Sequence, residues 1–224
     1  MKKLPAVNLL ITALFAFTIY SCVNIEQQTV INEDGSGSID LHYWTKTANL
    51  SMGDELGGFS FTEDKIRKNF TSLNSDVGEV KIEESKSDSL THVRLKIVFR
   101  DFNKLPEAQG FSKTKTLWKK EKDKIIFRYT LLKDTVSSDK LASAEYKLFY
   151  TFTFPDEILE TNGTKEVNTV TWNKTLADLK NDIDMTAEIK NNSGICGIFG
   201  IELPILFLFS VIISKIKKYK FKKK

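Results

Sequence analysis

The sequence predicts an α+β domain: a mainly antiparallel sheet with one amphipathic helix and short helical turns, followed by a C-terminal transmembrane helix. Three observations predict it. Apolar and polar residues alternate in run after run between Asn24 and Lys190, the period of half-buried strands. One window, Thr62–Asn74, places Ile66, Phe70 and Leu73 at helical spacing. Near the C-terminus, Ile195–Ile213 runs for nineteen residues with a single charge.

The elements follow in order. Asn24–Ile31 and Ser36–Trp44 flank Asn32-Glu33-Asp34-Gly35, and Asp-Gly between extended runs signals a hairpin. Ser60-Phe61-Thr62-Glu63 resembles a capping box opening the helix. Val77–Glu84 and Thr91–Phe99 read as paired strands, the second with Val93, Leu95, Ile97 and Phe99 on one face. Asp101–Leu105 reads as a short capped turn. Thr114–Lys120 and Lys124–Leu132 form a second hairpin. Tyr146–Phe154, rich in aromatics and stopped by Pro155, reads as a central strand. Glu166–Trp172 is a further strand, Leu176–Leu179 a helical turn and Asp184–Lys190 a last strand.

The chain ends carry different signals. Lys2 and Lys3 precede an uncharged apolar run, Leu4–Tyr20, closed by Ser21-Cys22. This is the layout of a signal peptide. Ile19-Tyr20-Ser21-Cys22 resembles a bacterial lipobox, with Tyr20 departing from its usual small or β-branched residue. It predicts cleavage between Ser21 and Cys22 and a lipid on the Cys22 thiol. At 1.5 Å per residue, Ile195–Ile213 approaches the roughly 30 Å hydrocarbon core of a bilayer. Seven lysines follow in Lys215–Lys224, and positive-inside bias puts them in the cytoplasm. Glu202 stands inside the apolar run. It costs about 2.5–3.5 kcal/mol on insertion scales, which its aliphatic and aromatic neighbours can offset. It is either a carboxylate that pairs with a partner in the membrane or a tolerated charge. The expected organisation is a lipoprotein-type signal peptide over 1–21, an extracytoplasmic domain over 22–194, a transmembrane helix over 195–214 and a basic tail over 215–224.

Composition limits the function. The chain is 41% hydrophobic and 11% aromatic, which excludes a wholly disordered chain. The formal net charge is +4, but the lysine-rich ends account for it and the middle is slightly acidic. A basic nucleic-acid footprint on the domain is therefore excluded. Neither cysteine, Cys22 nor Cys196, falls in the middle, so the domain holds no internal disulfide or thiolate metal site.

No catalytic motif is present: no G-x-S-x-G, no Gly-rich phosphate loop and no H-E-x-x-H. Asn32-x-Asp34-x-Ser36-Gly37 has the start of a calcium loop, but position 12 is Tyr43 rather than a bidentate Glu. A hairpin turn explains the same residues. His42 and His92 fall in strands without a local ligand motif and read as surface or cross-strand residues. Lys113, Lys115, Lys119, Lys120, Lys122 and Lys124 surround Trp118. They could touch anionic headgroups, and protection of a strand edge is the preferred reading. No metal and no cofactor are expected.

Tyr150–Pro155, then Thr161-Asn162-Gly163, then Asn168-Thr169-Val170-Thr171-Trp172 and Leu176-Ala177-Asp178-Leu179 give a strand-FP, turn, N-x-V-x-W, short-helix order. This order, with Ile31-x-x-Asp34-Gly35-Ser36-Gly37, resembles the LppM-type lipoprotein family. The resemblance implies an α+β domain outside the membrane and, from the family's mycobacterial member, lipid or glycolipid binding in an apolar cavity. The motifs assign no residue to such a cavity. The expected function is a non-enzymatic, membrane-tethered binding module for a lipid or envelope glycan. The alternative is a structural or assembly factor acting through an envelope protein partner. A continuous apolar cavity of about 300 Å³ or more separates the two.

Overall fold

A computed structural model describes residues 23–133 and 146–191. The signal segment with Ser21 and Cys22, the run 195–214 with Glu202, and the basic tail lie outside the described residues.

Strands dominate. In chain order they are β1 (Asn24–Ile31), β2 (Gly37–Lys46), β3 (Glu55–Leu56), β4 (Phe59–Ser60), β5 (Ser75–Ser85), β6 (Leu90–Phe99), β7 (Thr114–Lys120), β8 (Lys124–Leu131), β9 (Lys147–Thr153), β10 (Ile158–Thr161), β11 (Thr164–Glu166), β12 (Thr169–Thr175) and β13 (Ile183–Lys190). One α-helix, α1 (Glu63–Phe70), lies between β4 and β5. This corrects the α+β expectation: among the described residues the fold is mainly β. The other helical segments are short 3₁₀ turns at 47–52, 102–107, 109–111 and 176–180. Nor is any described helix long and apolar enough to cross a membrane. The expected transmembrane helix at 195–214 gains no support and lies outside the described residues.

The helix is shorter than its periodicity suggests. Thr71 already has extended backbone, at φ −92° and ψ 138°, and Ser72 then turns the chain by accepting the N–H groups of Asn74 and Ser75. The expected capping box does not form either. Thr62 is the N-cap, while the Ser60 hydroxyl lies in β4 and accepts from the Asn69 amide at 3.2 Å.

Two sheets make the frame. The larger has the order β11-β12-β9-β1-β2-β6-β5 and the smaller β10-β13-β8-β7, with β3 and β4 pairing separately. All pairings are antiparallel except β1 with β9. The predicted β1–β2 hairpin forms. Gly35 takes φ +86° at its turn, a conformation glycine adopts without steric cost. The Asp34 carboxylate accepts both the N–H and the hydroxyl of Ser36. Those two bonds hold it below its ordinary value.

Alternation aims one face of each sheet inward. Phe127 of β8 lies 4.9 Å from Phe152 of β9 between ring centres, and Tyr129 lies 5.4 Å from Phe152. The small sheet therefore covers the β9–β1 half of the large one. The other half is covered by α1, the β3–β4 hairpin and the 102–107 turn. Tyr43 of β2 meets Phe59 and Phe61, and Phe99 of β6 meets Phe102. β7 forms an edge of the small sheet. Its lysines pair outward, Lys119 with Glu121 and Lys120 with Glu33, as edge protection requires.

Candidate functional site

The two sheets part where α1, the β3–β4 hairpin and the 109–114 segment meet, and a cleft of about 580 Å³ opens there. Strand alternation supplies its apolar walls. Ile25 of β1 and Leu41 of β2 come from the large sheet, and Leu131 of β8 from the small one. Phe70, the last residue of α1, packs edge-on against Phe111 at 5.3 Å, and both line the cleft.

The floor is polar and buried. Gln27 is 2% exposed and its amide donates to Thr29 at 3.0 Å. Tyr129 and Tyr150, on facing sheets, complete the floor with ring centres 5.8 Å apart. Burial raises both phenols well above their ordinary range, while hydrogen bonds from Gln27 and Thr114 act the other way on Tyr129. These groups stay neutral and offer hydroxyls rather than charges. At the mouth stand Asn69, Gln109 and Ser112.

A second concave area lies on the outer face of the large sheet, lined by Glu26, Asp40, His42, Lys81 and Arg94 among others. His42 and His92, distant in sequence, meet here. His42 Nε2 stands 3.1 Å from His92 Nδ1, and the Trp44 ring stacks on His42 at 4.6 Å. Burial first and then Arg94 push the His42 pKa down, against the upward pull of Glu26. Sequence reasoning placed both histidines in strands but missed the meeting. The signal was cross-strand register: Trp44 pairs with His92, so His42 sits one diagonal step away.

The other candidates resolve locally. The calcium-like loop is the β1–β2 turn, and Tyr43 points inward, fully buried, its hydroxyl donating to the Ser60 carbonyl. No group of three or more His, Cys, Asp or Glu able to hold a metal ion occurs among the described residues. Ser21, Cys22 and Glu202 lie outside the described residues.

The Thr161-Asn162-Gly163 turn has a structural role. Asn162 accepts the Trp172 indole N–H at 2.7 Å and the Thr186 N–H at 3.0 Å, tying β12 of one sheet to β13 of the other.

A family model described as the LppM domain matches residues 30–190, more than half of the chain. No curated protein matches. Among solved structures, the NMR structure of the folded domain of Mycobacterium tuberculosis LppM is similar over 75% of this chain and 89% of that one, at 18% identity and a TM-score of 0.45.

Proposed function

The chain belongs to the LppM lipoprotein family, and on that footing we propose that it is a membrane-associated extracytoplasmic binding module for an amphiphile with an apolar chain. The observation that carries this reading is the cleft between the sheets. Its volume of about 580 Å³ lies in the range of small-molecule sites. Its lining combines apolar walls with a few converging polar groups, the pattern such sites share. An apolar chain lies against Ile25, Leu41, Phe70 and Leu131, and the head faces the amides and hydroxyl of Asn69, Gln109 and Ser112.

The magnitude is sufficient. Each buried methylene gives about 0.8 kcal/mol. A chain of about fifteen gives on the order of 12 kcal/mol, and subtracting an association cost of about 4 kcal/mol or more leaves at most the scale of micromolar binding. The lining suits binding rather than catalysis. Its charged members are Glu55 and Lys113, and no histidine or cysteine stands among them. A lipid on Cys22 is the proposed tether, holding the domain at the surface from which it would take a membrane-derived ligand.

Two experiments test this. Mass spectrometry of the detergent-purified full chain should find a co-purifying amphiphile. Leu131→Trp, which fills the cleft, should lower binding of a fluorescent fatty acid at least tenfold while the melting transition survives. Wild-type protein that carries no amphiphile and binds no fatty acid overturns the reading. For the tether, Cys22→Ser should abolish labelling by radioactive palmitate, and undiminished label refutes it.

A further inference from the structure

The two large sheets of the frame end in four edge strands, and three of these are short or blocked. β11 has three residues and β10 has four, and the Lys165 ammonium donates to the Ile158 carbonyl of β10. On β7, Asn103 takes the place of a neighbouring strand at Trp118, and Lys115, Lys119 and Lys120 would set like charges against a second copy. The fourth edge, β5, runs for eleven residues.

Local partners cover β5 only at its start. The Ser75 carbonyl accepts the Ser72 N–H at 2.9 Å. The Arg67 guanidinium donates to the carbonyls of Val77 and Gly78 at 3.2 and 3.0 Å. A bulge follows, between Val77 and Val80. Beyond it, the alternation of the antiparallel ladder decides which backbone groups turn outward. The Thr47 N–H donates to the Ser89 carbonyl where β2 and β6 begin to pair. Leu90, His92 and Arg94 therefore turn their backbone groups toward β5, and their register partners Ser85, Glu83 and Lys81 turn back toward β6. Val80, Ile82 and Glu84 are left pointing their N–H and C=O groups away from the sheet, and no backbone or side-chain group among the described residues bonds to them there. Such a row is a template for another strand.

The side chains fit one strand in particular, a second β5. An antiparallel copy centred on Ile82 sets Ile82 against Ile82, Lys81 against Glu83 and Glu83 against Lys81. Ile82 then meets its copy as a hydrogen-bonded pair that exchanges two bonds across the dyad, and Val80 pairs with Glu84 on either side. A dyad one residue away, on Lys81 or on Glu83, would face like charges and be repelled. The Lys81 and Glu83 side chains are 59% and 64% exposed, and Ile82 is an exposed apolar residue on the opposite face, so all three are open to a partner.

We propose that β5 is an interface between two copies of this chain, paired antiparallel about Ile82, with the two Lys81–Glu83 ion pairs fixing the register. The two seven-stranded sheets then become one. A single strand edge buries far less than the roughly 1,600 Å² of a standard interface, so the dimer is weak in solution, with a Kd on the order of 100 μM. This surface lies apart from the cleft and does not depend on what the cleft binds.

The test uses the full chain in detergent, by sedimentation equilibrium from about 10 μM to about 1 mM, a range that brackets that Kd. Wild type should pass from monomer to dimer. Because the dyad doubles each contact, Lys81→Glu and Glu83→Lys should each weaken association about tenfold or more, with unchanged melting temperature and unchanged fatty-acid binding. The double variant Lys81→Glu with Glu83→Lys should regain the wild-type Kd, and an equimolar mixture of the two single variants should form a mixed dimer. Hydrogen-bonded partners stand about 5.5 Å apart between Cα atoms, within disulfide reach. With Cys22 and Cys196 replaced by serine, Ile82→Cys should therefore crosslink to its own copy under mild oxidation, and Leu73→Cys, exposed off the strand, should not. A chain that stays monomeric to about 1 mM, or a dimer that forms equally well in both single charge variants, overturns the proposal. So does a monomer whose β5 amides are protected from exchange only by an extended peptide of another protein.

Discussion

The Trp172 indole donates to the Asn162 side-chain oxygen at 2.7 Å, and the same oxygen accepts the Thr186 N–H at 3.0 Å. Trp172 is 2% exposed, so water cannot replace the acceptor. Asn162→Ala leaves a buried N–H unsatisfied and should cost about 1–3 kcal/mol. Next to it, a Cβ on Gly163 would stand 2.5 Å from Val170 Cγ1 and 2.6 Å from Trp172 Cε2. Gly163→Ala should therefore cost a similar 1–3 kcal/mol through overpacking. Urea unfolding of the variants checks both, and an unchanged midpoint for Gly163→Ala contradicts the packing.

Asn103 acts as a substitute strand at the edge of the small sheet. Its side chain accepts the Trp118 N–H at 2.7 Å and donates to the Trp118 carbonyl at 3.1 Å. The ladder groups of β7 that face away from β8 are thereby satisfied at this residue. Asn103→Ala should destabilise by about 1–2 kcal/mol. It should also speed amide hydrogen exchange at Trp118 more than at residues of β8. Uniform acceleration along both strands would mean that Asn103 has only a global effect.

Phe127 and Phe152 join the two sheets, and both are fully buried. Phe152 also touches Phe102, Tyr129, Phe154 and Trp172. Removing it opens a cavity at the sheet interface, where neither sheet can collapse without losing register. Phe152→Ala should cost about 3–5 kcal/mol, read as a lowered melting temperature. A loss below 1 kcal/mol would show that the interface repacks.

Much of this frame was legible. The long strands, such as Thr91–Phe99 and Tyr146–Phe154, announce themselves because a period of two repeated four times cannot be mistaken for a helix. The segments Glu55–Leu56, Phe59–Ser60, Ile158–Thr161 and Thr164–Glu166 leave no signal in the sequence, since two to four residues carry no measurable period. Glu166–Trp172 has the pattern of one continuous strand, but Val167 adopts φ +53° and breaks the run into two strands. One good helical window inflated the class to α+β, because Ile66, Phe70 and Leu73 share a spacing although Leu73 is 96% exposed beyond the helix end. The cleft was not legible at all. Its walls come from segments scattered along the chain, and aromatic strands fit a cavity and a solid core alike. The histidine pair was hidden for a related reason: register, not spacing, brings His42 to His92.

Three buried tyrosines predict an alkaline limit to stability. Tyr43, Tyr129 and Tyr150 are each at most 4% exposed, and burial raises all three pKa values above the ordinary phenol value of about 10. The folded chain thus keeps these protons at a pH where the unfolded chain releases them. Their contribution is fully present below pH 10 and declines as pH rises above it, by about 1.4 kcal/mol per pH unit for each phenol. Unfolding free energy measured from pH 8 to pH 11 should be flat at first and then fall steeply. Tyr150→Phe should remove one phenol's share of that slope, and phenolate absorbance from the remaining pair should appear only with unfolding. Ionisation of Tyr129 or Tyr150 in the folded chain near pH 10 would mean that water reaches the cleft floor freely, which the burial of Gln27, Tyr129 and Tyr150 argues against.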